Sequence, residues 1–220
     1  MVACAEEWKV FNHASTLQPG CHSSRELVRH RLACDYARGL QVKVLKLIAV
    51  FILIAGLSNL ATVAALPYLI NAYVAHRIAD VVGGYNKALH APRPDSHART
   101  VVRPSPDLLY TACAFDISEH PLLITAPVQR SYVSVSAFAS DTSNFAAIND
   151  SLLQADASGN KHFNLVLVRE GVSVDLPAGA QVIKAPSDKG LVLFRSLITD
   201  EAQLRQLQQD FQAQQNCSPL

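Results

Sequence analysis

Charge is the scarcest feature of this sequence. Asp, Glu, Lys and Arg make up 17% of its 220 residues, against about a quarter in typical globular chains. The 19 basic residues almost balance the 18 acidic ones, so the sequence has no basic excess with which to hold a polyanion. Aromatic residues are also few, at 7%, and they do not alternate with basic residues as base-stacking surfaces require. We therefore expect no nucleic-acid partner.

Motifs of the common enzyme classes are missing as well. The sequence contains no GxSxG elbow, P-loop, GxGxxG or HExxH. Its five cysteines form no CxxC pair, and no Cys and His spacing fits a zinc site. These absences predict a protein without a metal ion and without a cofactor.

An uncharged apolar segment lies in the first half of the chain. Residues 47–75 read LIAVFILIAGLSNLATVAALPYLINAYVA, and a helix that crosses about 30 Å of hydrocarbon needs about 20 such residues. The best window is 44–66, because Pro67 predicts a helix end or a kink. The sequence ahead of this window is too long for a cleaved signal peptide, which favours an uncleaved membrane anchor.

Basic residues predict the orientation of this anchor, because they are retained on the cytoplasmic side. Arg77, Lys87 and Arg93 follow the segment at wide spacing, whereas the stretch that leads into it carries Arg25, Arg29, Arg31, Arg38, Lys43 and Lys46. We therefore expect a single-pass protein of the bacterial inner membrane. Its N-terminus would lie in the cytoplasm and its C-terminal part in the periplasm.

These features divide the chain into three parts. Residues 1–43 form a cytoplasmic tail whose first forty residues lack a sustained helical period, so they are either disordered or an over-extended start of translation. Residues 44–75 form the transmembrane helix, and residues 76–220 form an extracytoplasmic β-rich domain. Cys113 and Cys217 fall in this last part, where an oxidising compartment permits a disulfide between them.

Short apolar runs separated by turn residues fill the C-terminal part. A helical pattern over 74–89 and a polar loop come first, and the runs that follow predict an antiparallel β-sandwich or barrel-like domain. One amphipathic helix ends the chain, with Leu204, Leu207 and Phe211 on one stripe and Asp200 as its N-cap. The predicted strands are 108–115, 121–126, 132–138, 162–169, 171–176, 181–184 and 191–198.

Four residues near the first predicted strand are candidates for a functional site. Asp107, Tyr110 and Asp116 lie close together in sequence, and acid–base catalysis requires two carboxyl groups held at a fixed distance. Arg103 and Tyr110 could instead hold a small anion. The competing interpretation is structural: Asp107 accepts backbone N–H groups in the turn after Pro106, and Tyr110 packs inward.

The order of motifs resembles the domain of unknown function 1254 family, in a short membrane-anchored form. An apolar helix ends in AALPYL, VRPSPDLLYTACAFDIS follows, and PLLITAPVQRSYVSVSAF comes next. Ser105 and Leu108 depart from the family's usual Asn and Thr. The resemblance covers residues 44–220, and the matching residues are Asp107, Leu109, Tyr110, Asp116, Pro127 and Tyr132.

The resemblance implies a β-rich domain and no agreed reaction. It also implies a partner, because members often occur with the domain of unknown function 1214, either fused or as a separate chain. Two functions therefore remain open. In the first, a membrane-tethered β domain, with the lipid bilayer as its other partner, docks a protein at the envelope. In the second, a hydrolase-like or small-ligand-binding enzyme uses Asp107, Tyr110 and Asp116.

Overall fold

The protein consists of one long N-terminal helix and a β-rich domain. The computed structural model describes residues 24–98, 104–128, 132–153, 155, 159, 161–172 and 174–220. The chain divides into two compact units, of which the first ends at Thr62 and the second runs from Val63 to Leu220.

Helix α1 extends over Ser24–Val82, 59 residues, and contains Pro67 in its interior. It begins about twenty residues before the predicted window, so residues 24–40 are helical although their sequence shows no sustained helical period. Residues 1–23 lie outside the described part. Its portion Arg31–Val82 is long and apolar enough to cross a membrane, with a mean hydropathy of 2.3 in its most apolar window. Every residue from 47 to 66 is exposed.

Within the described part of the chain, nine strands follow the helix, and they form two sheets packed face to face. Sheet A has the order β1-β2-β8-β4-β5 and is antiparallel throughout. Sheet B has the order β7-β6-β3-β9, in which only the β6–β7 pair is parallel. The predicted mainly β fold is confirmed as a sandwich. The strands are β1 (Lys87–His90), β2 (Leu108–Asp116), β3 (Leu122–Pro127), β4 (Val133–Ala139), β5 (Asn144–Asn149), β6 (His162–Arg169), β7 (Gln181–Ala185), β8 (Lys189–Leu197) and β9 (Asn216–Pro219).

The predicted strands agree with the structure except at the sheet edges. Six of the seven predicted runs overlap β2, β3, β4, β6, β7 and β8. The seventh, 171–176, forms no strand over its described residues and belongs to the connection between β6 and β7, which a parallel pair requires. Strands β1, β5 and β9 were not expected. All three are edge strands. Strands β1 and β9 pair with strands that are distant in sequence, whereas β5 forms a hairpin with β4.

The core lies between the two sheets and follows the period-two alternation of side chains along each strand. Sheet A contributes alternate residues of β2, β4 and β8, and sheet B contributes alternate residues of β3, β6 and β9. On β2 this places Cys113 and Phe115 inward and Ala112 and Ala114 on the outer face. The largest inward side chains, all with zero exposure, are Phe115, Leu122, Ile124, Phe163, Leu165, Leu167, Val192 and Phe194.

The last turns of α1 pack on the outer face of sheet A. Ala75 and Ile78 are buried against Ala114, at the i and i+3 spacing of one helical face. One turn earlier, the buried Asn71 donates from Nδ2 to the Ala139 carbonyl at the end of β4, over 2.9 Å. The small side chains of Ala75 and Ala114 let the helix and the sheet approach each other, and the hydrogen bond from the Asn71 amide holds the helix against β4.

A helical segment over residues 201–214 and strand β9 end the chain. The Asp200 side chain accepts from the Ala202 N–H at 2.9 Å, which confirms the predicted N-cap. Two buried glutamines then follow. Gln212 donates to the Ala91 and Tyr110 carbonyls, at 2.8 and 3.0 Å, and Gln215 donates to the Ser196 hydroxyl at 2.9 Å. These bonds tie the end of the chain to sheet A.

Gly190 on β8 lies where neighbouring atoms leave no room for a side chain, so a substitution there tests the close packing of sheet A. A Cβ at this position would lie 2.1 Å from the Phe138 carbonyl oxygen and 2.7 Å from Phe115 Cζ. Backbone cannot move aside as a flexible side chain can, so Gly190→Ala should lower the free energy of unfolding by about 3 kcal/mol or more. The measurement is thermal unfolding in detergent. Gly56→Ala, where an added Cβ meets nothing within 4 Å, is the control, and an equal melting temperature for both variants would contradict the packing.

Candidate docking site

The structure does not bring together the two carboxylates of the catalytic hypothesis. Asp107 lies immediately before β2 and Asp116 ends it. Nine residues of extended strand correspond to about 30 Å, so the two groups sit at opposite ends of the sandwich. No acid–base pair forms between them.

The turn before β2 is built on Ser105 rather than on Asp107. The Ser105 hydroxyl accepts from the Asp107 N–H at 3.4 Å, and its carbonyl accepts from the Leu108 N–H at 3.3 Å. The expectation that the Asp107 carboxylate accepts these N–H groups is therefore wrong for the described residues, and this side chain is exposed. Arg103, the other candidate in this region, lies outside the described residues.

Tyr110 was expected to pack into the core, and it does not. The inward positions of β2 are those of Leu109, Thr111 and Cys113, so the alternation puts Tyr110 on the outer face of sheet A, where it is half-buried. Its hydroxyl accepts from the Ser105 N–H at 2.9 Å. Tyr110 therefore braces the turn that leads into its own strand.

Asp116 is held as an ionised structural group. The Lys189 ammonium lies 3.1 Å from its carboxylate, and Ser118 donates to the same group from its hydroxyl and its backbone N–H, at 2.7 and 3.0 Å. Burial acts to raise the pKa of Asp116, but the bonds from Ser118 and Lys189 together outweigh it and lower the pKa. A carboxyl with a lowered pKa is a poor proton donor near neutral pH.

A polar group that the sequence did not single out crosses the outer face of sheet A. The register sets Tyr110 on β2 opposite Arg195 on β8, and Arg195 opposite Ser134 on β4. Ser136, two residues further along β4, accepts from Arg195 Nη2 at 2.7 Å. We call Tyr110, Ser134, Ser136 and Arg195 the Arg195 patch.

Two atoms of the Arg195 patch are buried without a hydrogen-bond partner among the described residues: Ser134 Oγ and Arg195 Nε. Ser134 is only 5% exposed, and an unpaired buried polar group costs about 1–3 kcal/mol. The other buried polar side chains of the described residues, such as Asn71, Gln212 and Gln215, do have partners. The unpaired donors therefore concentrate at this one patch.

The chemistry of the patch suits a carboxylate. A guanidinium offers five N–H donors in a planar fork that matches two carboxylate oxygens, and the Ser134 hydroxyl adds a further donor. Arg195 forms no ion pair within the described residues. In the same part of the chain, no three His, Cys, Asp or Glu side chains group closely enough to hold a metal ion.

One sequence signal could have revealed Arg195. It is the only charged residue after Lys189 in strand β8, KGLVLFRSL, and the alternation sets it between Leu193 and Leu197 on the outer face. Ser134 and Ser136 were recognisable as the polar face of their strand. Without the register that pairs β4 with β8, however, the three residues could not be placed side by side.

The unpaired hydroxyl of Ser134 leads to a stability prediction. Ser134→Ala removes a buried group that has no partner, so it should raise the free energy of unfolding by about 1 kcal/mol. Ser136→Ala, on the same face of the same strand, removes the acceptor of Arg195 and should lower that free energy by about 1–2 kcal/mol. Thermal or denaturant unfolding of both variants in detergent decides the matter. Equal losses in the two variants would contradict the assignment of Ser134 as unpaired.

Comparisons with known proteins relate the β-rich part of the chain to one family. Residues 85–219 match the model of a family described as "Protein of unknown function (DUF1254)". The chain is similar in structure to the VPA0106 protein of Vibrio parahaemolyticus, with a TM-score of 0.52 and 14% identity over 71% of this chain and 35% of that one. At this identity the likeness shows the fold alone.

A second solved structure, an uncharacterised protein of Burkholderia cenocepacia, has a TM-score of 0.40 and 15% identity over 56% of this chain and 34% of that one. The chain thus spans about a third of the length of both solved structures. No curated protein matches its sequence.

Proposed function

This chain belongs to the DUF1254 family of proteins of unknown function, and from that membership we propose that it is a membrane-anchored protein whose β-sandwich docks a partner protein outside the cytoplasm. The observation that carries the docking function is the Arg195 patch, with its buried and unpaired Arg195 Nε and Ser134 Oγ. Asp107 and Asp116 occupy opposite ends of β2, and this separation argues against an enzyme that uses both carboxylates.

The anchor is proposed to cross the membrane over residues 47–66. Twenty helical residues rise about 30 Å, which is the thickness of the hydrocarbon layer. The exposed Tyr68 and Tyr73 follow, and tyrosine is enriched where helices leave the hydrocarbon. The position of Asn71 also supports an end of the membrane segment near residue 66, since its amide is buried against β4 and would be costly in lipid.

The excess of basic residues before the anchor supports an orientation with the β-sandwich in the periplasm. Alkaline phosphatase fused after Leu220 should therefore be active, because that reporter folds only after export. A green fluorescent protein fused at the same position should not fluoresce, because that reporter does not fold properly after export. The opposite pair of results, at equal expression of the two fusions, would reverse the proposed orientation.

The position of the Arg195 patch on the outer face of sheet A favours a protein over a small ligand. Small-molecule sites are concave and enclose most of the ligand, whereas this patch lies on the outer face of a sheet. Leu193 and Leu197, half-buried on the same face, can supply the apolar surroundings that exclude water from an interfacial ion pair. The proposed partner therefore presents an Asp or Glu side chain within an apolar surface.

Binding of that carboxylate requires a rotation of Arg195, because its Nε is now buried. The side chain as a whole is half-buried rather than enclosed, so the guanidinium can turn from Ser136 toward the partner. The carboxylate would then accept from the guanidinium and from the Ser134 hydroxyl. A protein that carries the domain of unknown function 1214 is the first candidate, because the family resemblance implies it.

The test uses the full chain in detergent and a purified protein that carries the domain of unknown function 1214 from the same organism. Arg195→Ala should weaken binding by about tenfold or more, because it removes a charge-assisted contact at the centre of the interface. Arg205→Ala, which removes an exposed arginine of the terminal helical segment, is the matched control and should leave binding within about twofold.

Two results would contradict this docking function. One is wild-type protein that does not bind the candidate, and the other is equal binding by the Arg195 and Arg205 variants. Melting curves of both variants accompany the assay, so that a loss of binding through unfolding is recognised.

A further inference from the structure

Two cysteines from opposite sheets meet in the core of the β-sandwich. Cys113 lies on β2 in sheet A, and Cys217 lies on β9 in sheet B, next to Ile124 of β3. Their exposed fractions are 0% and 2%. Both belong to the same core cluster, on strands of the two facing sheets.

These are also the only cysteines in the unit that runs from Val63 to Leu220, since the other three are Cys4, Cys21 and Cys34. Each thiol therefore has one intramolecular partner within this unit, and no alternative pairing competes with it. The structure holds both as free thiols. A buried thiol pair in one core cluster, exported to an oxidising compartment, has the surroundings in which structural disulfides form.

We propose that Cys113 and Cys217 form a disulfide that links the two sheets and fastens strand β9. This proposal rests on the proposed location of the β-sandwich outside the cytoplasm. Strand β9 has four residues and lies at the edge of sheet B, paired with β3 on one side, so few backbone hydrogen bonds hold it in place. The bridge would tie this strand to β2, near the middle of sheet A.

The reaction needs an oxidant, and the proposal assigns that role to a protein disulfide of the compartment. The thiolate of one cysteine attacks the oxidant's disulfide, which forms a mixed disulfide and releases one thiolate of the oxidant. The thiolate of the second cysteine then attacks the sulfur of the first and displaces the oxidant's other sulfur. The protein loses two protons and two electrons, and the oxidant leaves as a dithiol.

The order of events follows from the burial of the pair. Burial raises the pKa of Cys217 well above its ordinary value, and the neighbouring Cys113 thiol raises it further. Because the thiolate is the reacting form, the folded protein exchanges slowly with external oxidants or reductants. The bond therefore forms while β9 is still free to open, and it resists reduction once the sheets have closed.

The test uses the full chain with Cys4, Cys21 and Cys34 replaced by Ser, so that only the proposed pair remains. The protein is isolated from membranes under conditions that trap free thiols, unfolded, and treated with a maleimide before and after reduction. We expect no modification before reduction and two modified cysteines after it. A second portion is unfolded, reduced and refolded in detergent with a glutathione redox buffer, which tests the geometry without the cell.

The outcomes distinguish two premises: that the two cysteines are close enough to form a bond, and that the β-sandwich lies in an oxidising compartment. A bridge in both portions supports the proposal, and reduction should then lower the melting temperature by about 10 °C, because the bond closes a loop of about 100 residues. Cys217→Ala in the same background is the control, whose melting temperature should not respond to reductant. A bridge that forms on refolding but not in cells overturns the proposal through the location, and two free thiols in both portions overturn it through the geometry.

Discussion

The rest of the structure depends on the contact between the last turns of α1 and the outer face of sheet A. Ala75 and Ile78 pack on Ala114, and Asn71 bonds to the end of β4. This contact makes the end of an apolar helix part of the β domain's own structure. It also covers the outer face near Leu191, whereas Arg195 lies four residues further along β8, or about 13 Å away.

Local sequence pattern predicted the elements that bury an alternating face. The strands β2, β3, β4, β6 and β8 carry period-two apolar residues, and they were predicted within one or two residues. The edge strands β1 and β9 carry few such residues and depend on distant partners: Cys217 on β9 pairs with Ile124 on β3, far away in sequence. Strand β5 forms a hairpin with its neighbour β4. The early start of α1 was missed for another reason, because its first turns have no apolar period to detect.

The candidate site shows the same division between local and long-range information. Sequence proximity brought Asp107, Tyr110 and Asp116 together as a hypothesis, and an extended strand separates the outermost two by its full length. The Arg195 patch joins residues about 60 positions apart in sequence, such as Arg195 and Ser136. A polar side chain on an outer strand face is ordinarily solvated, and only the register reveals that Ser134 and Arg195 Nε are buried together.

Buried polar side chains elsewhere in the structure have hydrogen-bond partners, so the two unpaired atoms of the Arg195 patch do not reflect generally poor hydrogen bonding. Six of the seven buried polar side chains among the described residues have partners, among them Thr111 with His90 and Ser196 with Gln215. Ser134 is the exception, and the unpaired atom beside it belongs to an arginine. A fold that satisfies its polar groups elsewhere retains a cost of about 1–3 kcal/mol per atom here. Such a cost persists where another requirement outweighs it, and a carboxylate that completes the patch in a complex would meet both donors at once.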